Sequence, residues 1–199
     1  MKHEEYKLIL SSNSPRRKEL LAGLGLPFDV RLINDIDESF PQDLNPLEVA
    51  AFISQKKAAA YKRTLHSQEV IITADTVVLC SGQILGKPRN EEDAHRMLRM
   101  LSGKVHQVVT GVTILSTEKE KTFSVVTDVT FKELTDEEIT YYIHTYQPFD
   151  KAGAYGIQEW IGYVGVTQLQ GSYFNVMGLP VQRIYEELKS YFPLMLRLK

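Results

Sequence analysis

The chain has 199 residues, of which 43% are hydrophobic and 24% charged, the proportions of an ordinary globular protein. Its 23 basic and 25 acidic side chains leave a formal charge of −2, so no global field attracts nucleic acid or an acidic membrane. One cysteine, Cys80, excludes an intramolecular disulfide framework and a cysteine-based zinc cluster. Any attraction for anions must therefore come from a local cluster of charge.

Targeting signals are not expected in this sequence. The apolar run in the N-terminal stretch MKHEEYKLIL is too short for a signal peptide. No segment approaches the ~18 apolar residues that a membrane span requires. We therefore expect a cytoplasmic protein that has neither membrane nor nucleic-acid polymer as a partner.

The first elements are predicted from one short apolar run and a set of helix-start signals. Residues 7–12 (KLILSS) predict a strand that ends in small polar residues. Ser14 is a suitable N-cap and Pro15 suits the first helical position, while Gly23 or Gly25 is expected to end the helix. A strand, a tight loop and a helix N-terminus in this order often hold phosphate.

Caps, apolar periodicity and β-branched runs predict the remaining elements. They are a helix from Asn45 to about Tyr61, strands over 70–73 and 77–80 with a return at 84–85, a helix from Asn90 to Gly103, a hairpin of 105–115 and 122–134, a helix opened by a Thr135/Glu138 capping box, and a last helix over 181–191. No repeat or linker interrupts them. The pattern predicts an α/β fold in one domain, 1–199, with a mixed twisted sheet and flanking helices.

Three cations crowd the first turn of the helix that begins at Pro15. Arg16, Arg17 and Lys18 lie where the helix dipole and the free N–H groups already present positive charge. The cations could simply be solvated, because such a mismatch costs only ~0.3–1 kcal/mol. Alternatively, with the hydroxyls of Ser12 and Ser14, they form a site for a polyphosphate, whose charge removes the mismatch.

A second candidate is the stretch ITADTVV, residues 72–78, in which Asp75 falls between two apolar runs. A carboxylate in such surroundings is costly unless it is paired, binds a metal or takes up protons. Asp75 is therefore either a structural acceptor of backbone N–H groups or a general base. Thr76 places a hydroxyl beside it.

Two lysines and one loop complete the candidates. Lys57 lies in a helix of small and apolar residues, and Lys87 is fixed between Gly86 and Pro88; either could be an ordinary surface lysine. In DKAGAYGIQ, residues 150–158, the small residues let a backbone approach a ligand, and Tyr155 and Gln158 could stack on or bond to a base. The alternative is a tightly packed loop with a surface pair of Asp150 and Lys151.

Taken together, these motifs resemble the Maf family of nucleoside triphosphate pyrophosphatases. The resemblance runs from about Leu8 to Glu187 and rests on seven motifs in order. They are SSNSPRRKELL, FISQKKA, ITADTVV, LGKPRNEEDAHRMLRMLSGKVHQVVTGV, VVTDVTF, DKAGAYGIQ and GSYFNVMGLP. The resemblance implies two lobes about a central cleft, as in inosine triphosphatase-like folds, a divalent cation (Mg²⁺ or Mn²⁺) and hydrolysis of a nucleoside triphosphate to its monophosphate and pyrophosphate.

The resemblance also implies a role for individual positions. Asp75 matches the proton acceptor, and Arg16, Thr76 and Gln158 match the positions that set base preference, in the combination of the branch acting on dTTP and UTP. The remaining cleft residues fall on Ser12, Arg17, Glu38, Lys57 and Lys87. From the chemistry of the side chains we add Ser14 to the phosphate-binding set and take Glu38 and Asp75 as metal ligands, because Mg²⁺ prefers oxygen.

One segment departs from the family pattern. After Gln158, the stretch EWIGYVGVTQLQGSYFN replaces a shorter glycine-rich one, with Glu159 and Trp160 where small residues are usual. Because it follows the presumed base reader, this change bears on the substrate more than on the reaction.

Three other functions stay open at this point. The chain could be a pyrophosphatase for another base, such as 7-methyl-GTP or deaminated purine nucleotides. It could be a regulator of cell division that binds nucleotide without turnover, as the link of the family with septum formation suggests, or a structural phosphate-binding domain. The resemblance and the apolar C-terminal stretch YFPLMLRLK favour a homodimer, unless that stretch covers the core of the monomer.

Overall fold

The computed structural model describes residues 6–192. The chain divides into two compact units, each assembled from separate segments. The first unit contains Met1–Asp75, Thr110–Ser124 and Gly178–Lys199, and the second contains Thr76–Val109 and Val125–Met177. Within the described residues, no helix has the length and apolar character needed to cross a membrane.

Seven strands form a mixed sheet. They are β1 (Lys7–Ser11), β2 (Phe28–Val30), β3 (Glu69–Cys80), β4 (Gln83–Leu85), β5 (Val105–Leu115), β6 (Glu120–Phe131) and β7 (Val166–Gln170). Their order is β2-β1-β3-β5-β6-β7, and β4 pairs with β3. β1 is parallel to β2 and β3, whereas the pairs β3–β4 and β6–β7 are antiparallel. The predicted α/β fold on a mixed sheet with flanking helices is confirmed.

Helices fill the connections between these strands. The α-helices are α1 (Pro15–Ala22), α2 (Val49–Ala59), α3 (Glu91–Leu101), α4 (Asp136–Tyr146), α5 (Trp160–Gly165), α6 (Tyr173–Met177) and α7 (Val181–Tyr191). Ser14 caps α1, Asn90 caps α3, and Thr135 and Glu138 form both bonds of a capping box at α4. These three helix starts are therefore where the sequence predicted them.

In the first unit, α2 packs directly on the backbone of β5. A Cβ atom at Gly111 would lie 2.2 Å from the carbonyl carbon of Ala50 and from the amide nitrogen of Ala51. No side chain fits in that space, so glycine allows the helix and the strand to touch. Tyr61 follows α2 and is fully buried against Ile9 and Ile71.

In the second unit, the apolar face of α3 lies in a cluster of buried side chains. Ala94, Met97, Leu98 and Leu101 are buried there, as their helical spacing predicted. The cluster continues through residues of β4, β6, α4 and the stretch after Asp150. This core supports the stretch that contains Gln158.

Four local predictions differ from the structure. Asp75 lies inside the continuous strand β3 rather than between two strands, because β3 pairs with β1 over residues 69–73 and with β4 over 78–80. The helix at Asn45 begins with one 3-10 turn, Pro46–Glu48, before α2 starts. β2 has only three residues and gives no periodic signal, and α5, β7 and α6 lie in a stretch where we predicted no element.

Candidate active site

The start of α1 has the polar groups that the sequence predicted. The Ser14 hydroxyl accepts a hydrogen bond from the N–H of Arg17 at 3.4 Å, and the Ser12 hydroxyl accepts one from the N–H of Ser14 at 3.2 Å. In both bonds the serine oxygen is the acceptor, so the hydroxyl proton takes no part. The first turn holds Arg16, Arg17 and Lys18 and no acidic residue. This turn can therefore bind an anion through hydroxyls, N–H groups and cations together.

Arg17 ties the start of α1 to the strand that contains Asp75. Its Nη1 donates to the Ala74 carbonyl at 2.8 Å, and its Nε donates to the Gly178 carbonyl at 2.8 Å. Burial lowers the pKa of the Arg17 guanidinium, while the nearby charges of Asp75 and Glu38 raise it and that of Arg16 lowers it. Arg17 is thus held close to one cation and two carboxylates.

Asp75 and Thr76 are distinguished within β3 by their exposure. The strand has 12 residues, and only these two are partly exposed while the others are buried. Neighbouring residues of a strand point to opposite faces. The boundary between the two compact units falls between them, with Asp75 in the first unit and Thr76 in the second.

Lys57 is shared by two carboxylates. Its Nζ lies 2.8 Å from Oδ1 of Asp75 and 2.9 Å from Oε1 of Glu38. The side chains of Lys57 and Asp75 are each 15% exposed, whereas that of Glu38 is 56% exposed. The structure thus brings Glu38, Lys57 and Asp75 together, although the sequence separates them by up to 37 positions.

The two carboxylates suit a magnesium site that substrate completes. Among residues 6–192, no group of three or more His, Cys, Asp or Glu side chains is placed to hold a metal ion. Glu38 and Asp75 nevertheless both contact the same atom, Nζ of Lys57. Mg²⁺ is commonly held by one or two carboxylates together with substrate phosphates and water. The donor set therefore fits a divalent cation that arrives with a triphosphate.

Gln158 lies in the second unit, in the stretch that precedes α5. Its Oε1 is buried and has no hydrogen-bond partner among the described residues. A buried acceptor without a partner is costly, so each such atom calls for an explanation, of which a functional role is one. This unpartnered oxygen is the observation on which a proposed role for Gln158 can rest.

Lys87 is also in the second unit, exposed in the loop between β4 and α3. The carbonyl of its neighbour Gly86 accepts a hydrogen bond of 3.0 Å from the N–H of Gly153. This bond joins the loop of Lys87 to the turn that leads to Gln158. Ser12, Ser14, Arg16, Arg17, Glu38, Lys57 and Asp75 belong to the first unit, and Thr76, Lys87 and Gln158 to the second.

Two interpretations of DKAGAYGIQ change with the structure. Tyr155 is 5% exposed, and its hydroxyl lies 2.8 Å from Nε2 of His106, so its ring belongs to the core rather than to a base-stacking surface. Lys151 is 8% exposed and pairs with Glu159 as well as with Asp150, so it is not part of a surface pair. The carboxylate of Glu159 compensates the charge of Lys151, which explains why Lys151 is buried. The sequence signal for this pairing was Glu159 itself, which follows Gln158 where small residues are usual.

The chain matches the family model described as Maf-like protein over residues 7–191. A dTTP/UTP pyrophosphatase of Phocaeicola vulgatus is 59% identical over 94% of this chain and 96% of its own length. One of Bacteroides thetaiotaomicron is 54% identical over the same shares. Among solved structures, a nucleoside-triphosphatase or dITP/XTP pyrophosphatase from Mycobacterium abscessus aligns with 96% of this chain and 100% of its own, at 12% identity and a TM-score of 0.42.

Proposed function

Since this chain belongs to the Maf-like family, we propose that it is a cytoplasmic hydrolase that converts dTTP and UTP to the monophosphate and pyrophosphate. The observation that carries the proposal is the cluster of Lys57, Asp75 and Glu38 next to the start of α1, to which Arg17 connects it. Cations, carboxylates and a helix N-terminus at one place suit phosphoryl transfer, in which positioning and electrostatic stabilisation dominate. The substrates dTTP and UTP are inferred from the names of the relatives.

The triphosphate is held by the start of α1 and by the cations. Hydroxyls of Ser12 and Ser14 and the N–H groups of the first turn bind phosphate oxygens. Arg16, Lys57 and Lys87 offset a substrate charge of about −4 as it moves onto the leaving pyrophosphate. Arg17 donates two of its N–H groups to backbone carbonyls, and one of these bonds fixes the start of α1 against Ala74. Its guanidinium also adds positive charge to the phosphate site.

Asp75 is the group that handles the proton. Its carboxylate orients the water that attacks the α-phosphorus and accepts a proton from it. Lys57 holds that carboxylate at 2.8 Å and therefore keeps it in one orientation. A divalent cation bound by Glu38 and Asp75 would neutralise phosphate charge and polarise the phosphoryl oxygens.

Base preference is assigned to Arg16, Thr76 and Gln158. Uracil and thymine present an N–H flanked by two carbonyl groups, and a carboxamide offers both an acceptor and donors. The buried, unpartnered Oε1 of Gln158 is suited to accept from such an N–H. A base without an N–H donor at this position would leave Oε1 of Gln158 without a hydrogen bond. A polar pocket rejects such a base because its buried polar group stays unpaired.

The test is a panel of nucleotides assayed for released pyrophosphate with Mg²⁺ and with Mn²⁺. We expect the highest kcat/KM for dTTP and UTP, with lower values for CTP, GTP, dATP and 7-methyl-GTP. Preference for a methylated or deaminated purine would instead identify a pyrophosphatase of another base. Nucleotide binding without release from any member of the panel would support the regulatory alternative.

The catalytic role of Asp75 is tested in the same assay. Asp75→Asn should lower kcat by ~10² or more, while a non-hydrolysable α,β-imido analogue of UTP still binds. Asp29→Asn is the matched control, because Asp29 forms an exposed ion pair with Lys7 elsewhere in the first unit. Full activity of Asp75→Asn would remove Asp75 from the mechanism. A homodimer stays a prediction, because residues 193–199 of the apolar C-terminal stretch lie outside the described residues.

A further inference from the structure

An ion pair closes the stretch that contains Gln158. Nζ of Lys151 lies 3.1 Å from Oε1 of Glu159 and 2.8 Å from Oδ1 of Asp150. The side chains of Lys151 and Glu159 are 9% and 18% exposed. Removal of one partner from a largely buried ion pair strongly destabilises the fold, because the other charge remains buried without compensation. The pair thus holds Lys151 and Glu159 together, and Gln158 is the residue directly before Glu159.

Tyr142 braces the same stretch from α4. Its hydroxyl donates to Oε2 of Glu159 and accepts a hydrogen bond of 3.0 Å from the N–H of Gly156. Burial, and then the hydrogen bond to Glu159 and its charge, raise the pKa of the Tyr142 phenol. The hydroxyl therefore keeps its proton and its role as a donor. The two oxygens of Glu159 are used by different partners, Lys151 and Tyr142.

The backbone between these contacts adopts a conformation that requires support. Gly153 and Ala154 have φ values of 69° and 59°, in the left-handed region that a residue such as alanine rarely adopts. Such a conformation persists only where the surroundings determine it. Hydrogen bonds from Ala154 N–H to the Lys151 carbonyl, 3.1 Å, and from Glu159 N–H to the Gly156 carbonyl, 3.0 Å, complete the turn.

The amide of Gln158 lies directly against this braced backbone. A Cβ atom at Gly156 would be 3.0 Å from Nε2 of Gln158 and 3.0 Å from Cδ of Glu159. The carboxamide and the carboxylate therefore both pack on Gly156, the residue whose N–H is held by Tyr142. Movement of Gly156 or of Glu159 would reorient the amide of Gln158.

We propose that Tyr142, Lys151 and Glu159 are positioning residues that fix the orientation of the Gln158 amide and thereby contribute to base preference. The proposal rests on the function given above, in which Gln158 reads the base. None of the three touches the nucleotide in this account. They act by holding the loop of residues 151–159 in the conformation that directs the buried oxygen of Gln158 to the ligand.

The experiment compares Tyr142→Phe and Glu159→Gln with the wild type in steady-state assays on UTP and CTP. Tyr142→Phe keeps the ring and removes the hydroxyl that joins Glu159 to Gly156, and Glu159→Gln removes the charge that faces Lys151. We expect kcat/KM for UTP to fall about 10-fold, mainly through KM, since the loss is of binding geometry equivalent to one hydrogen bond. The value for CTP should change about twofold or less, because the unprotonated N3 of cytosine offers no N–H to that oxygen.

Tyr146→Phe is the matched control. Tyr146 lies on the same helix and stacks on Tyr142 with ring centroids 5.2 Å apart. Within residues 6–192 its hydroxyl makes no hydrogen bond, so the same chemical change should leave the UTP to CTP ratio as in the wild type. Thermal unfolding of every variant reports whether a loss of activity follows from a loss of fold.

A double-mutant cycle separates positioning from general destabilisation. If Tyr142 acts through Gln158, Tyr142→Phe should lower kcat/KM for UTP by about twofold or less in a Gln158→Ala background. Independent effects that multiply in the double variant would overturn the proposal, as would a wild-type UTP to CTP ratio in both Tyr142→Phe and Glu159→Gln.

The wild-type panel distinguishes this proposal from the function on which it rests. A wild type that prefers another nucleotide refutes the proposed substrates, and the same variants are then compared on that nucleotide and CTP or UTP. Loss of that preference, coupled to Gln158, would support positioning, and its retention would overturn it. A wild type that turns over no nucleotide refutes the function, and absence of nucleotide binding as well would overturn both.

Discussion

The ammonium of Lys57 lies 2.8 Å from the carboxylate of Asp75, and each side chain is 15% exposed. At such burial neither charge is well solvated, so each depends on the other. The pairing uses Oδ1 of Asp75 and does not involve its second oxygen. It also makes Lys57 the residue whose removal tests the electrostatics of the site most directly.

Lys57→Met should lower kcat/KM for dTTP and UTP by about 100-fold or more, the size of effect seen when one preorganised charge-stabilising group is lost. Lys56→Met is the matched control, since it alters the neighbouring residue of α2. Lys56 forms its ion pair with Asp37, whose side chain is 68% exposed, and such pairs contribute little to stability. Equal activity of the two variants would show that Lys57 has only a structural role.

Arg16→Ala should change which nucleotide is preferred. Arg16 stands in the first turn of α1 and matches a specificity position, so its removal should reduce the dTTP to GTP ratio of kcat/KM by about 10-fold. Lys18→Ala removes a charge from the same turn, and any loss there should be equal for all nucleotides. A uniform loss in Arg16→Ala would show that Arg16 contributes charge alone.

Gly162→Ala should disturb the loop of Gln158 from the side of α5. A Cβ atom at Gly162 would lie 1.8 Å from the carbonyl oxygen of Ile157, so the backbone before Gln158 must move. We expect a loss of about 1–3 kcal/mol in the free energy of unfolding by urea and a lower preference for UTP.

Gly165→Ala provides the comparison within the same helix. There the added Cβ would meet the Cδ2 atom of Leu134 at 3.3 Å, and a side chain can adjust where a backbone carbonyl cannot. Its stability should lie within about 1 kcal/mol of the wild type. If Gly162→Ala matched it in stability and substrate preference, the close contact with Ile157 would have no functional weight.

His106 should make stability depend on pH in mildly acidic solution. Burial lowers the pKa of its imidazole to about 4, so between pH 6.5 and 4 the unfolded chain binds a proton that the folded chain does not. Stability is therefore fully present above pH 6.5 and falls as the pH decreases. From pH 6.5 to 4.5 the free energy of unfolding should drop by about 2 kcal/mol through this group.

The pH effect is assigned by removing the imidazole. His106→Gln should flatten the decrease between pH 6.5 and 4.5, whereas His144→Gln, which changes an exposed histidine paired with Glu91, should leave it. Carboxylates act in a lower range: Arg31 holds the pKa of Glu69 at about 2, so its contribution is lost only below pH 4.5. An unchanged slope in His106→Gln would contradict the assignment.

Features set by near neighbours in the sequence were predictable. The capping residues Ser14, Asn90 and Thr135 act within one turn, so a few letters are enough to place the helix starts. The apolar face of α3 follows from helical spacing in the same way. Asp75, Lys57 and the cations of α1 stood out in the sequence itself, whereas Glu38 was reached by resemblance alone, and the roles of all of them stay predictions.

Features that depend on distant pairing were not predictable. β2 exists because Phe28–Val30 pairs with β1, and three residues carry no period of their own. β3 continues through Asp75 because different strands pair with its two ends. The ion pair of Lys151 with Glu159 depends on a left-handed turn at Gly153 and Ala154 that no local pattern requires.

The contact of α2 with Gly111 fixes how closely the helix that carries Lys57 approaches β5. Ala50 rests on bare backbone at one end of α2, and Lys57 lies seven residues further, roughly 10 Å along the axis. With no side chain to compress, the helix cannot approach β5 more closely, and any side chain there would lift it away. A residue without a side chain thus fixes the position of the helix that carries Lys57, and we expect Gly111→Ala to lower both stability and activity.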